Sequence, residues 1–283
     1  MAMQPRTIST IIEPQYVREG AGVLLRRSIA TRQLDYVDPF LLFDHFGSDN
    51  PNDYLAGFPM HPHRGIETVT YMLAGTVNHR DSLGNTGVLG AGDIQWMTSG
   101  RGIMHEEMPR PVDGKMEGFQ LWVNLPAKLK MSRPRYQEIA AAQAPEITSG
   151  GNRVRVIAGE VEGVRGPVTE IAADPTYLDV TVAPQTSFVH PVPRGHSAFA
   201  YVFEGAGLFG RGSTPTSATR MVILSDGDYL EVRTNDQPVR FLLVSGKPLH
   251  EPIARYGPFV MNTRAEIEQA RRDLQSGTFV SPQ

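Results

Sequence analysis

Short runs of β-branched and aromatic residues recur along this chain, and glycine or proline separates most of them. The 28 glycines and 22 prolines are spread over the whole length. Many short apolar runs punctuated by turn residues are typical of a β-sandwich or barrel. The pattern predicts strands at residues 7–12, 40–46, 67–76, 88–97, 118–124, 154–158, 177–182, 198–203, 221–224 and 239–245.

Only one segment carries a clear helical pattern. Apolar residues recur at helical spacing from Ile267 to Leu274, and Thr263 with Glu266 forms a T-x-x-E capping box just before them. We therefore predict one short helix, at residues 263–274, in an otherwise all-β protein.

The two halves of the chain share a sequence pattern. HPHRGIETVTYMLAG (61–75) and PVPRGHSAFAYVFEG (191–205) have Arg-Gly, a Tyr and a final Gly in register, and a Gly-Asp pair follows each of them. A repeat of this length indicates a duplicated domain, because each copy can enclose its own core. Chance reuse of turn residues is the alternative.

A passage rich in Ala, Gln, Pro and Gly separates the two copies at residues 140–152. We place the domain boundary there. The prediction is a first β-barrel at residues 1–140 that binds a metal, and a metal-free second barrel at residues 151–283 that carries the helix.

The charge balance excludes several kinds of partner. The formal net charge is -3, from 27 basic and 30 acidic residues that are scattered rather than clustered, so neither nucleic acid nor an anionic membrane is favoured. There is no cysteine, which excludes disulfides, thiolate metal sites and cysteine nucleophiles. No apolar run approaches the roughly 20 residues of a membrane span. We expect a soluble, cytoplasmic monomer.

Two pairs of residues have the spacing of metal ligands. Side chains two apart on a strand point to the same face, so His61 projects with His63, and His105 projects with Glu107. If the two strands face each other across a barrel, three imidazoles and one carboxylate meet at one point. This arrangement predicts a metal site.

Two other carboxylates compete for a place in this site. Strand alternation turns Glu106 away when His105 points inward. Glu67 reaches the same side as His63 only if the strand stays regular through Gly65, so we keep it as an outer or substitute ligand.

The second copy of the repeat provides an internal comparison. The same offsets place Pro191, Pro193, Arg240 and Leu242 at the positions of the four candidate ligands. None of these residues normally binds a metal, which is why the second barrel is predicted to be metal-free.

Nitrogen and oxygen ligands without sulfur favour one divalent transition metal. Fe(II), Mn, Ni, Cu, Co and Zn all suit this set, whereas Ca and Mg do not. Four protein ligands leave an octahedral ion two open positions, whereas a tetrahedral zinc site would be closed. The residues alone leave both possibilities open.

Three long stretches resemble the pirin family of the cupin superfamily. They are HPHRGIETVTYMLAG, then GAGDIQWMTSGRGIMHEEMP (90–109), then GKPLHEPIARYGPFVMNTRAEI (246–267), and the likeness extends over nearly the whole chain. The resemblance implies two jelly-roll (double-stranded β-helix) cupin barrels and an Fe(II)-type centre in the first. The family's ligands fall on His61, His63, His105 and Glu107.

The resemblance also implies quercetin 2,3-dioxygenase activity, in which dioxygen opens a flavonol. The partners would then be a small aromatic substrate and dioxygen, and Glu107 would take the proton of the substrate hydroxyl. Five large apolar residues could line the substrate cavity or belong to the ordinary core: Phe58, Met60, Trp96, Met97 and Met104.

Two other functions compete with an oxygenase. Pirin relatives also include metal-dependent regulators that bind a transcription factor or a metabolic enzyme. A cupin isomerase or lyase would need basic residues beside the metal, and Arg64 and Arg101 are the candidates. His79 and Asp81 resemble a base with its orienting acid, but their position before Gly84 favours a simple hairpin end.

Overall fold

The structure is a computed structural model that describes residues 2–110 and 114–280. Its elements, in chain order, are β1 (Ile8–Ile12), β2 (Gln15–Glu19), β3 (Val23–Ile29), β4 (Phe40–Ser48), β5 (Phe58–His63), β6 (Ile66–Ala74), β7 (Thr76–Asp81), β8 (Thr86–Leu89), β9 (Ile94–Thr98), β10 (Ile103–Arg110), β11 (Met116–Asn124), β12 (Arg135–Ile139), β13 (Glu146–Ser149), β14 (Asn152–Ala158), β15 (Glu160–Val161), β16 (Val164–Arg165), β17 (Thr176–Val182), β18 (Ser187–Pro191), β19 (Ser197–Phe209), β20 (Thr216–Ser217), β21 (Arg220–Leu224), β22 (Tyr229–Arg233), β23 (Val239–Gly246), β24 (Ala254–Tyr256), β25 (Phe259–Met261) and α1 (Arg264–Ser276).

The predicted all-β architecture with one C-terminal helix is confirmed. The capping box is present, since the Thr263 side chain accepts from Glu266 N, and α1 ends at Gly277 in the left-handed conformation. The strand predicted at 88–97 is two strands, β8 and β9, because a turn lies between them. No helix in the described ranges is long and apolar enough to span a membrane.

One compact unit, here called unit A, consists of residues 15–31, 40–141 and the chain from residue 249 onward. A seven-stranded antiparallel sheet has the order β12-β9-β6-β11-β4-β3-β2, and a four-stranded sheet has the order β5-β10-β7-β8. Two such sheets make the jelly-roll barrel that was predicted. Strands β24 and β25 form a separate hairpin, and α1 contacts both of them.

The second compact unit, unit B, consists of residues 1–14, 32–39 and 142–248. Its main path is β1-β21-β19-β23-β17-β14-β13, and β22 pairs with both β18 and β19. Valine, leucine and phenylalanine side chains from these strands form a continuous buried core. Unit B is therefore a jelly roll with an apolar interior.

The compact units differ from the predicted domains, 1–140 and 151–283, because neither is continuous in sequence. Strand β1 pairs with β21 and so belongs to unit B. The hairpin β24–β25 and α1 belong to unit A. Sequence composition marks the linker, but it cannot show which barrel a terminal segment joins.

The repeat is real, but the strands correspond differently from the prediction. Strand β10 pairs with β5 and β7, and β22 pairs with β18 and β19, so β22 is the counterpart of β10. Arg240 and Leu242 lie on β23, which is the counterpart of β11. Equal sequence offsets fail here because the loops of the two copies differ in length.

The buried side chains of β18 and β22 are mainly apolar. Phe188, Leu230 and Val232 belong to the core of unit B, and His190 is the one buried imidazole among them. The equal sequence offset placed Pro191 at the position of His61. Pro191 is exposed, so it is not one of the buried residues of β18.

A buried arginine anchors the start of the chain within unit B. Arg6 is fully buried, and its guanidinium donates to the carbonyls of Pro193 (2.7 Å), His196 (3.0 Å) and Ser225 (3.0 Å). Because all three carbonyls would lose a donor, Arg6→Met is expected to lower the free energy of unfolding of unit B by about 2 kcal/mol or more. Denaturant-dependent amide exchange in β21 measures this change.

Arg165→Met is the matched control for Arg6→Met. Arg165 is 82% exposed and pairs with Glu160 at the surface, so its loss should leave the free energy of unfolding nearly unchanged. Equal effects of the two variants would contradict the anchoring role of Arg6.

His190 should make unit B sensitive to acid. Burial lowers its pKa to about 4, whereas an unfolded histidine titrates near 6.5. The unfolded state therefore binds more protons, and stability should fall as the pH drops from about 6.5 to 4. His190→Phe should flatten this part of the pH profile of thermal unfolding, whereas replacing the exposed His250 by Gln should not.

Candidate metal centre

Two neighbouring strands of unit A carry the four predicted ligands. Strands β5 and β10 are antiparallel partners in which His61 lies opposite His105 and Ile103 lies opposite His63. The prediction had the strands facing each other across the barrel, and in this respect it was wrong. Cross-strand neighbours have Cβ atoms about 5 Å apart, so direct pairing brings the side chains together just as well.

The three histidines converge on one point. Their ligand nitrogens all lie within 4.8 Å of one another. The Nε2 atoms of His61 and His63 are 3.0 Å apart, and the ring centroids of His61 and His105 are 4.4 Å apart. Nitrogens that each lie about 2.1 Å from a common ion are separated by distances of this order, so the three residues fit a transition metal.

Burial keeps two of these rings in the form that binds a cation. It lowers the pKa of His63 and of His105 well below the usual range, and the neighbouring imidazoles lower both further. Metal ligation requires neutral imidazole, so His63 and His105 can bind a cation without first losing a proton. Both ring nitrogens of His105 are buried without a hydrogen-bond partner among the described residues.

Glu107 lies beside the cluster but is not a member of the group of nitrogens within 4.8 Å. A strand irregularity between His105 and Glu107 shifts the pairing, so that Glu107 lies opposite Phe58. Its Oε1 accepts a hydrogen bond from the Thr70 hydroxyl at 3.0 Å. Burial raises the pKa of Glu107, while His61 and Thr70 lower it. Glu107 as the fourth ligand therefore stays a prediction.

The two competing carboxylates have other partners. Glu67 lies on β6 and accepts from the Thr98 hydroxyl at 2.8 Å. Glu106 accepts from the partly exposed Arg80 at 2.9 Å. Neither belongs to the histidine group.

His79 is a buried neighbour of the site that the sequence reading placed at a hairpin end. Its ring lies 5.4 Å from that of His105 and 5.1 Å from that of Tyr136. Asp81 does serve the turn, since it accepts from the backbone of Leu83 and Asn85. Val77, two residues before His79, is apolar and lies on the same face of β7, which could have signalled that the histidine points inward.

A cavity of about 630 Å³ opens onto His61, His63 and Glu107. Its walls include Phe46, Phe58 and Trp122, and the Trp122 ring lies 5.1 Å from that of His63. An ion pair also lies in the wall, where Arg27 donates to both oxygens of Asp44 at 2.8 and 2.7 Å.

Phe58 is the only one of the five predicted apolar residues that lines this cavity. Trp96 and Met97 are buried in the barrel, Met104 packs against the C-terminal cluster, and Met60 is exposed. Trp122 was missed because it lies far from the histidines in sequence.

Two family profiles match the chain. The pirin profile matches residues 22–123, and the profile of the pirin C-terminal cupin domain matches residues 177–280. The chain belongs to the pirin family. A pirin-like protein of Caulobacter vibrioides is 45% identical over 279 residues, which cover 98% of this chain and 100% of the relative. Human pirin is 41% identical over 280 residues, which cover 95% of this chain and 92% of human pirin.

A solved structure has a similar fold. The crystal structure of quercetin 2,3-dioxygenase from Acinetobacter baumannii has a TM-score of 0.89 and 34% sequence identity, covering 98% of this chain and 99% of that one. The predicted resemblance to pirins and their cupin fold is thereby confirmed.

The three-histidine cluster predicts how this pirin should bind metal. The purified protein should carry close to one divalent metal per chain by elemental analysis. Replacing both His61 and His63 by Ala should abolish binding, because two of the three converging nitrogens are lost. His190→Ala removes a buried imidazole of unit B and should leave the ratio unchanged. A folded, freshly purified protein without metal would contradict the prediction.

Proposed function

We propose that this protein is a metal-dependent dioxygenase of the quercetin 2,3-dioxygenase type that acts on flavonol-like substrates. One divalent transition metal, Fe(II) in our proposal, would be held by His61, His63, His105 and Glu107. The observation that supports this most strongly is the convergence of three imidazoles, two of them buried, beside a cavity with aromatic walls. The likeness to a solved quercetin 2,3-dioxygenase supports it further.

The cavity has the size and lining that a flat aromatic ligand requires. Pockets of about 300–1,000 Å³ with apolar walls and a few polar groups are typical of small-molecule sites. Phe46, Phe58 and Trp122 would contact the rings of such a ligand, and Gln120 and Asp44 offer hydrogen bonds to its hydroxyl groups. These walls would also exclude water from the reacting atoms.

Glu107 is suited to accept the proton of the substrate hydroxyl. Burial raises the pKa of this carboxyl, which makes its ionised form a stronger base than an exposed glutamate. Thr70 donates to Oε1, which orients the carboxylate. The bound metal would supply a positive charge beside the deprotonated oxygen and a site for dioxygen chemistry.

Reconstituted with Fe(II), the protein should consume a flavonol such as quercetin only when dioxygen is present. Flavonol absorbance measures the reaction. Glu107→Gln should lower kcat by about 100-fold or more, because it removes the proton acceptor. Glu106→Gln changes the adjacent carboxylate that pairs with Arg80, and it should retain most of the activity.

The assay also separates the two principal functions. A metal-loaded protein that leaves flavonol absorbance unchanged with Fe(II), Mn, Ni and Cu would contradict the dioxygenase proposal. That result would favour the regulatory role, in which the metal shapes a protein-binding surface.

A further inference from the structure

The C-terminal part of unit A lies directly against the residues that follow His63. Arg64 N donates to the Pro258 carbonyl at 3.4 Å, and Val260 N donates to the Arg64 carbonyl at 3.1 Å. Gly65 has φ +81°, and a Cβ atom there would lie 2.0 Å from Val260 O. No other residue type allows the two backbones to come this close.

A buried lysine joins these two backbones. Lys130 is 1% exposed, and its Nζ donates to Gly65 O (3.0 Å), Val260 O (2.9 Å) and Asn124 Oδ1 (2.7 Å). All three ammonium protons are thereby used. Two of the three acceptors are main-chain carbonyls. Lys130 therefore holds two backbone segments together and does not form an ion pair with these acceptors.

A second contact, made by α1, restrains the same stretch of backbone. Arg64 is 3% exposed, and its Nη1 donates to Asp273 Oδ2 of α1 at 2.6 Å, while its Nε donates to Arg101 O at 2.5 Å. The guanidinium also lies over the Phe279 ring, with Cζ 4.5 Å from the centroid. Arg64 is the neighbour of His63, so these contacts restrain the backbone that carries the imidazole.

The same segment acts on the imidazole itself. His63 turns Nε2 toward His61 Nε2, which leaves Nδ1 on the other side of the ring. Nδ1 is buried without a hydrogen-bond partner among the described residues. Pro258 and His63 line the same cavity, so the segment that contacts Arg64 and Gly65 also lies beside the ring.

We propose that Lys130 and Asp273 are positioning residues of the metal centre. They hold residues 258–260 of the C-terminal segment against Arg64 and Gly65, which restrains the backbone that carries His63 and keeps its Nε2 pointing at the cation. The inference rests on the metal centre proposed above, and it assigns a role in unit A to the last part of the chain.

Two variants and two matched controls test this role. Lys130→Met removes the ammonium and keeps the apolar stem, and its control is Lys128→Met, two residues away and exposed. Asp273→Asn breaks the contact with Arg64, and its control is Glu268→Gln on the same helix, where Glu268 pairs with the neighbouring Arg271.

The probe is Co(II) alone, titrated into each full-length variant in competition with a chelator. Loss of an outer-shell partner typically weakens metal binding by about 10–100-fold, and we expect a loss in this range for Lys130→Met and about tenfold for Asp273→Asn. The visible Co(II) spectrum should change in both, while the two controls should retain wild-type affinity and spectrum.

A readout that needs no metal completes the test. Nitrogen NMR of the metal-free protein should give one set of imidazole signals for His63, and Lys130→Met should shift or double these signals, because the backbone that carries the ring is released. If Lys130→Met does not fold, Asp273→Asn decides by the same measurements.

Wild-type Co(II) affinity and unchanged His63 imidazole signals in a folded variant would overturn the inference, even if the unfolding temperature fell. In that case the metal centre itself would stand. Absence of Co(II) binding by the unaltered chain would overturn both.

Discussion

The direct pairing of His61 with His105 is the constraint on which the site depends. Strand side chains alternate between two faces, so a shift of one residue in this register would turn His105 out of the site. The pairing also brings a half-buried imidazole against two buried ones, and burial lowers the pKa of His63 and of His105. Buried ring nitrogens without hydrogen-bond partners are costly for a protein unless they bind something.

Unit B shows the same jelly roll without this constraint. Its strand β22 occupies the position of β10 but buries Leu230 and Val232, and these side chains join one apolar core. Comparing the two barrels therefore shows which residues the fold requires and which residues only the site requires. The Arg-Gly turn before β6 recurs before β19, whereas the paired histidines occur only in unit A.

The sequence was sufficient to predict the β architecture, the capped helix and the histidine cluster, because each follows from local spacing. Periodicity alone did not indicate strand β5, because Pro59 and Pro62 interrupt its pattern, although the spacing of His61 and His63 placed both on a strand. The partner strands, the change of barrel by β1 and α1, and the roles of His79 and Trp122 all depend on long-range pairing. Local periodicity carries no information about such contacts, and equal offsets misplaced the counterparts of His105 and Glu107 for the same reason.

The discontinuous make-up of unit A has a consequence for the newly made chain. Its jelly-roll strands end at Ile139, but its closing hairpin and helix lie beyond residue 249. Domains of a nascent polypeptide generally fold in the order of their synthesis. Here the N-terminal barrel receives Val260 and Asp273 only after the whole of the other barrel has been translated, so the surroundings of its metal site are completed after the other barrel can already fold.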